Sequence, residues 1–228
     1  MILPHATALT MHHDAEALAA AVARRLAALI GQAITARGVC RLALAGGETP
    51  RQCYAELGSL AVDWTRVQIY FGDERCLPAG DTQRNDEMAR QSLLQRVGIP
   101  SANVHAVAAE LGALRAAADY VARLKDALPL DIVLLGMGED GHTASLFPGN
   151  PALLANEAAV AVFDAPKPPP ERVSLSLGTL NTVRHKLFLV AGAGKRDALS
   201  RIVRGEVLPA AQITDAEWHL DRDAVPTE

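Results

Sequence analysis

The chain has 228 residues, of which 50% are hydrophobic and 21% are charged, a composition typical of a globular protein with a sizeable core. Its 22 basic and 26 acidic residues give a formal net charge of −4, so no basic excess points to a nucleic acid or an anionic membrane. Three cysteines without a CxxC pair disfavour a disulfide framework and a structural zinc site.

These features indicate a soluble cytoplasmic protein with one domain over residues 1–228. The N-terminus lacks the basic stretch and apolar run of a secretory signal, and we expect no segment of about 18 apolar residues that could span a bilayer. The proline-rich loop, residues 164–172, offers a domain boundary as the alternative. His12 and His13, which we expect near a mobile terminus, lack HxxxH or HExxH spacing, so no catalytic metal is predicted.

The predicted elements alternate between helix and strand along the chain. Apolar spacing predicts a first helix over residues 14–36, capped by Asp14 and stopped by Gly38. Short apolar runs predict strands over residues 40–45, 67–71, 131–135, 160–163, 173–177 and 186–190. Further helices are predicted over residues 50–58, 82–97 and 110–128 and after residue 195. This alternation predicts an α/β fold, with a mostly parallel sheet covered by helices on both faces.

Four polar or glycine-rich loops follow predicted strands, over residues 46–50, 72–81, 136–142 and 191–195. In parallel sheets ligands bind beyond the carboxyl ends of the strands, so we expect these loops to form one site. We also expect the proline-rich loop to cross this rim, because its flanking strands look like parts of one sheet.

Two of these loops contain the residues best suited to binding and proton transfer. Gly46, Gly47, Glu48 and Thr49 open a helix, where free N–H groups attract phosphate, although a tight turn without a ligand is the alternative. The segment GMGEDGHT, residues 136–143, contains His142, a side chain suited to proton transfer near neutral pH. Asp140 could orient the imidazole, and the glycines, Gly141 among them, indicate close approach to a ligand.

The other candidates are charged or polar side chains at the same rim. Asp73 and Arg75 follow a strand directly and suit a polar ligand, although a surface ion cluster is the alternative. Asn85 opens the next helix, where simple capping would also explain it. Arg172 and Lys195 each follow a rim loop, and either could instead be an ordinary solvated charge.

Five segments in order resemble the 6-phosphogluconolactonase family: LALAGGETPRQCYAEL, IYFGDERCLPAGDTQRND, LLGMGEDGHTASLFPG, KPPPERVSLSLGTLN and FLVAGAGKRDAL. The resemblance implies a modified doubly wound, Rossmann-like α/β fold, shared with the glucosamine-6-phosphate deaminases. It also implies hydrolysis of 6-phospho-D-glucono-1,5-lactone to 6-phosphogluconate, the second step of the oxidative pentose phosphate pathway.

The related deaminase is the main rival. Its motifs typically read Asp-Glu-Tyr and DGHIAFNEP, with a catalytic glutamate where this chain has Phe147. Opening a lactone needs an activated water and a proton for the ring oxygen, which one histidine can relay, so Phe147 favours the lactonase. Arg84 departs from the family pattern, in which serine is frequent. A sugar-phosphate sensor is a further alternative, but such a regulator would normally carry a DNA-binding segment.

We therefore expect His142 to activate water, Arg75 to stabilise the oxyanion, and Asp73 and Asp140 to order sugar hydroxyls or His142. The residues expected to hold the substrate and its phosphate are Gly46, Gly47, Glu48, Thr49, Asn85, Gly141, Arg172 and Lys195. No cofactor is predicted, the partner is a small sugar-phosphate lactone, and the chain is expected to be a monomer or weak homodimer.

Overall fold

The computed structural model describes residues 3–226 and contains two sheets. The larger sheet is parallel, with the strand order β1-β9-β8-β5-β2-β3. Its strands are β1 (Ala6–His12), β2 (Cys40–Leu44), β3 (Val67–Phe71), β5 (Ile132–Gly136), β8 (His185–Val190) and β9 (Ala216–Asp221). The smaller sheet is antiparallel, in the order β4-β7-β6, and consists of β4 (Asp73–Arg75), β6 (Ala159–Val162) and β7 (Arg172–Leu175).

The helices are α1 (Ala15–Arg37), α2 (Glu48–Leu57), α3 (Asn85–Ala89), α4 (Ala113–Leu124), α5 (Leu177–Thr182) and α6 (Arg196–Val203). The first helix forms as predicted, because the carboxylate of Asp14 accepts the N–H of Ala17 at 2.8 Å and Gly38 ends the helix at φ 79°. The predicted helix over residues 82–97 is shorter, since α3 passes into a π-turn over Arg90–Leu94.

The prediction that the strands near residues 160–163 and 173–177 are parts of one sheet is confirmed, but that sheet is the smaller, antiparallel one. They form β6 and β7, which pair antiparallel with each other and, through β7, with β4. Only residues 163–171 separate β6 from β7. A parallel crossover needs a dozen or more residues, so this short connection permits an antiparallel pair but not a parallel one.

Helix α1 corrects the expectation that no segment could span a bilayer, because it is long and apolar enough by length and composition. The helix nevertheless packs as part of the core. Eight of its residues are buried, and Arg25 pairs with Glu217 of β9 at 2.6 Å. A buried core helix meets the same criterion, so this feature does not assign the chain to a membrane.

The end of β1 is packed against the fold, and His12 does not lie in a mobile terminus as predicted. Its Nε2 lies 3.1 Å from Nδ1 of His219 in β9, with the two rings stacked. Burial, together with the neighbouring His12, lowers the pKa of His219 to about 4. The unfolded chain therefore binds a proton at higher pH than the folded chain does.

We expect the stability of the fold to rise with pH between about 4 and 6.5 through His219, with a slope of at most about 1.4 kcal/mol per pH unit. The contribution is complete above the unfolded pKa and is lost as the pH falls through the folded value. His219→Asn, which can still hydrogen-bond to His12, should flatten this slope in urea unfolding. The exposed His13→Asn serves as control, and equal slopes in the two variants would contradict the prediction.

Candidate active site

The predicted convergence of loops is confirmed by a cavity of about 540 Å³ at the carboxyl ends of the parallel strands. All four predicted loops contribute to its wall, and the proline-rich loop closes one side with Lys167 and Pro168. The predicted site residues that line it are Gly46, Gly47, Asp73, Arg75, Asn85, His142, Arg172 and Lys195. Four others, Glu48, Thr49, Asp140 and Gly141, are not part of this lining.

The cavity wall contains the imidazole of His142, whose orientation is fixed by a hydrogen bond with Asp140. Nδ1 of His142 lies 2.5 Å from Oδ1 of Asp140, and the backbone N–H of His142 donates to the same oxygen. Although burial opposes it, the hydrogen bonds from His142 lower the pKa of Asp140 to about 2. An ionised carboxylate only accepts hydrogen bonds, so Nδ1 carries the proton. Nε2 is then left with the lone pair that a general base requires.

Two glycines make room for this histidine pair. A Cβ on Gly138 would lie 2.0 Å from Nδ1 of His142 and 2.6 Å from Oδ1 of Asp140. Gly141 has φ 84°, and a Cβ there would meet Leu208 at 2.5 Å. Gly141 therefore shapes the loop and is not part of the cavity lining.

The spacing of Gly136, Gly138 and Gly141 also matches the dinucleotide pattern GxGxxG. That pattern binds a pyrophosphate at the start of the helix that follows it. Here β5 is followed by turns, and no helix begins in residues 137–150. Gly138 and Gly141 therefore make space for side chains, and the three glycines do not form a dinucleotide site.

Phe147 packs the other side of the imidazole. Its ring is buried, and the centroids of Phe147 and His142 lie 4.5 Å apart at 47°. The guanidinium carbon of Arg172 lies 5.6 Å from the centre of the same ring. Phe147 thus fixes two polar groups of the cavity, and it supplies no acid or base itself.

Asp73 is held at the cavity wall by two side chains. Its Oδ2 accepts the hydroxyl of Ser145 at 2.6 Å, and its Oδ1 accepts Nδ2 of Asn85 at 3.1 Å. The amide of Asn85 also explains why position 46 is a glycine, because a Cβ on Gly46 would lie 2.0 Å from Oδ1 of Asn85. Asn85 therefore connects the loop after β2 to the strand β4, and it does more than cap a helix.

Two arginines are neighbours on adjacent strands of the smaller sheet, since Arg75 of β4 pairs in register with Arg172 of β7. Arg75 donates from Nη1 to the carbonyl of Gln83 at 2.7 Å, and its buried Nε has no partner among residues 3–226. Burial and the neighbouring positive charge lower the pKa of Arg172, and nearby Asp73 opposes this. Two like charges this close favour an anion between them.

Arg172 also fixes the proline-rich loop over the cavity. Its guanidinium donates to the carbonyl of Lys167 at 2.9 Å and to that of Pro169 at 3.2 Å. One side chain therefore joins the smaller sheet, the ring of Phe147 and the loop that crosses the rim.

Glu74 and Arg84 support the site from below. The carboxylate of Glu74 accepts the backbone N–H groups of Arg75, Asn85 and Asp86, each at 2.8 Å, although burial raises its pKa to about 8. Arg84 is buried and donates to Asp86 and to the carbonyl of Val107. Arg84, which stands where serine is frequent in the family, therefore stabilises the packing beneath the site. It is not part of the cavity lining.

Helix α2 begins directly after the cavity-lining Gly46 and Gly47 and has no side-chain cap, because Gly47 occupies the capping position. The carboxylate of Glu48 turns outward and accepts from Arg51 at 2.5 Å and Gln52 at 3.1 Å. The Glu48 side chain is exposed and already paired, so a contribution of Glu48 to ligand binding would come from its backbone N–H group. Neither Glu48 nor Thr49 lines the cavity.

Lys195 lines the opposite side of the cavity and is half-buried. Burial lowers its pKa, and the carboxylate of Glu139 partly offsets this. The lining thus contains four cationic side chains, Arg75, Arg172, Lys167 and Lys195, and one carboxylate, that of Asp73. Such a wall suits an anionic ligand. Within residues 3–226 no cluster of three or more His, Cys, Asp or Glu side chains could hold a metal ion.

Comparison with known proteins identifies the family. Residues 13–220 match the family described as glucosamine-6-phosphate isomerases/6-phosphogluconolactonase. The chain belongs to this family. A family member named 6-phosphogluconolactonase from Mycobacterium tuberculosis is 39% identical over 92% of this chain and 94% of that protein.

Solved structures of family members share the fold. The crystal structure of 6-phosphogluconolactonase from Thermotoga maritima matches with a TM-score of 0.88 at 27% identity, over 94% of this chain and 99% of that one. A monomeric glucosamine-6-phosphate deaminase, 20% identical, matches with a TM-score of 0.84 over 96% of this chain and 98% of that one. The deaminase shows that the fold alone does not separate the two activities.

Proposed function

We propose that the chain hydrolyses 6-phospho-D-glucono-1,5-lactone to 6-phospho-D-gluconate, the second step of the oxidative pentose phosphate pathway. The observation that carries this is the His142–Asp140 pair at the wall of a cavity lined by four cations. Such a site offers one proton-transfer group and several anion contacts. The relatives from Mycobacterium and Thermotoga bear the name of this activity.

His142 has the geometry of a general base that later acts as an acid. Nε2 takes a proton from water as the water oxygen bonds to the lactone C1, and the carbonyl oxygen becomes negatively charged. When the tetrahedral intermediate collapses, the bond from C1 to the ring oxygen breaks and the imidazolium returns the proton to that oxygen. Asp140 stabilises the imidazolium between these steps. General acid–base catalysis of this kind typically contributes about 10²–10⁴-fold.

Charged groups around His142 suit the remaining tasks. The buried Nε of Arg75 has no hydrogen-bond partner in the described part of the chain, which suits Arg75 to stabilise the developing oxyanion. Asp73, held by Ser145 and Asn85, is suited to order sugar hydroxyls. The N–H groups at the start of α2 and the cations Arg172 and Lys195 suit the 6-phosphate. Thr49 and Glu48 would contribute through their backbone N–H groups only.

The deaminase reaction is the second candidate, because a deaminase shares this fold. Isomerising and deaminating an amino sugar needs several proton transfers, and at position 147 this chain has a buried phenyl ring instead of a carboxylate. The deaminase assignment would need another base there. The lactonase needs only the proton relay that His142 offers.

A coupled assay tests the assignment against its alternatives. We expect the purified chain to accelerate the loss of 6-phospholactone above its uncatalysed rate and to release no ammonia from glucosamine 6-phosphate. Ammonia release would indicate the deaminase. Binding of sugar phosphates without turnover would indicate a sensor and would overturn the proposed activity.

Several expectations accompany this proposal. We expect a single domain over residues 1–228, a cytoplasmic location, a monomer or weak homodimer, and activity without a cofactor. The small sugar-phosphate lactone is then the partner that the cavity binds.

A further inference from the structure

Lys167 is a cation of the cavity wall that the mechanism above does not use. It lies in the proline-rich loop between Pro166 and Pro168, and proline limits the backbone freedom of this loop. Its carbonyl accepts Nη2 of Arg172 at 2.9 Å, so its main chain is fixed. Its side chain is 64% exposed and can turn. A fixed backbone with a free ammonium group at a cavity wall is suited to bind an incoming anion.

The ammonium group of Lys167 is paired only loosely in this structure. Nζ lies 3.7 Å from Oε2 of Glu139, which is beyond a good hydrogen bond, and the Glu139 side chain is 63% exposed. Exposed pairs of this kind contribute little to stability. A stronger anion would therefore displace Glu139 at little cost.

Glu139 also lies beside the second lysine of the cavity. A Cβ on Gly194 would lie 3.2 Å from Oε1 of Glu139, so this carboxylate packs against the turn that precedes Lys195. The charges of Lys167 and Glu139 act on Lys195 in opposite directions, which indicates that the three groups are close together. One exposed carboxylate therefore partly neutralises two ammonium groups.

We propose that Lys167 is a further ligand for the substrate's phosphate, and that Glu139 pairs with it while the cavity is empty and gives way when phosphate binds. This rests on the proposed function, which supplies the phosphate. A dianion between Lys167 and Lys195 replaces a single, solvated carboxylate. The exchange favours phosphorylated over unphosphorylated lactones, and the return of Glu139 assists the release of the phosphorylated product.

Inhibition by inorganic phosphate tests the role of Lys167 directly. We expect Lys167→Ala to raise both KM for the 6-phospholactone and the phosphate inhibition constant about tenfold, the effect of losing a charged hydrogen bond. The rate with unphosphorylated glucono-1,5-lactone should fall much less, because that substrate carries no phosphate for Lys167 to bind. Lys125→Ala removes an exposed lysine at the end of α4 and is the charge-matched control.

A double-mutant cycle tests the role of Glu139. Glu139→Gln should lower the phosphate inhibition constant roughly two- to fivefold, since it frees the lysine, and this gain should disappear in Lys167→Ala. An unchanged phosphate constant in Lys167→Ala would overturn the proposal. A gain from Glu139→Gln that is equal in both backgrounds would overturn the pairing. Failure of the wild type to hydrolyse the 6-phospholactone would instead overturn the proposed function.

Discussion

His142→Ala is expected to lower kcat for 6-phospholactone hydrolysis by about 10²–10⁴-fold, the usual contribution of general acid–base catalysis. This corresponds to about 3–5 kcal/mol of transition-state stabilisation. The loss follows from geometry, because Asp140 occupies Nδ1 and leaves Nε2 free at the cavity wall. The fold should survive, since His142 is packed at the cavity edge and not in the core cluster.

The control for this variant is a second histidine–aspartate pair outside the cavity. His13 lies 2.8 Å from Asp14 through Nδ1, and its side chain is 71% exposed. His13→Ala should therefore leave kcat unchanged. Initial rates, corrected for uncatalysed hydrolysis, and circular dichroism of all three proteins decide the outcome. Near-wild-type kcat in His142→Ala would mean that His142 only positions the substrate.

Much of the fold was predictable because local signals agreed with the tertiary structure. The first helix has a cap at Asp14, a buried face and a stop at Gly38, and each of these forms as expected. The central strands are short apolar runs because helices or loops cover both faces of the parallel sheet. The placement of the loops at one edge of the sheet followed from the alternation of helix and strand.

The elements that sequence reasoning missed or misplaced have weak or shared signals. Strand β1 lies at the edge of the sheet and is largely exposed, and β9 is buried but mixes charged and apolar residues, so neither shows an apolar run in the sequence. The antiparallel pair β6 and β7 resembles two further parallel strands, because the apolar pattern does not encode direction. Only the shortness of the connection over residues 163–171 indicates it.

The site was predictable at the level of loops but not of every side chain. His142 and Asp140 lie two residues apart after a strand, which correctly indicated an oriented imidazole. The outward turn of Glu48 depends on Arg51 and Gln52 one helical turn later, a pattern that the sequence does contain. The support of Asp73 by Ser145 joins positions 72 residues apart, so only the folded chain reveals it.

Gly138→Ala should reduce kcat nearly as much as His142→Ala, although it adds only one methyl group. The new Cβ would lie 2.0 Å from Nδ1 and 2.1 Å from Cε1 of His142, distances at which the ring must leave its place. The imidazole would then lose its hydrogen bond with Asp140, and Nε2 would no longer be held at the cavity wall. An expected loss of about 10²-fold or more follows from the lost general base.

A combined variant shows whether this effect passes through the histidine. Because both changes remove the same oriented imidazole, Gly138→Ala together with His142→Ala should be no slower than His142→Ala alone. Gly98→Ala, where the added Cβ meets nothing within 4 Å, controls for adding a methyl group to a glycine and should leave kcat unchanged. A further drop in the combined variant would mean that Gly138 serves catalysis in some other way, such as close approach of its backbone to the substrate. Equal kcat values for the combined variant and His142→Ala would mean that Gly138 is needed only because a larger residue would displace His142 and Asp140.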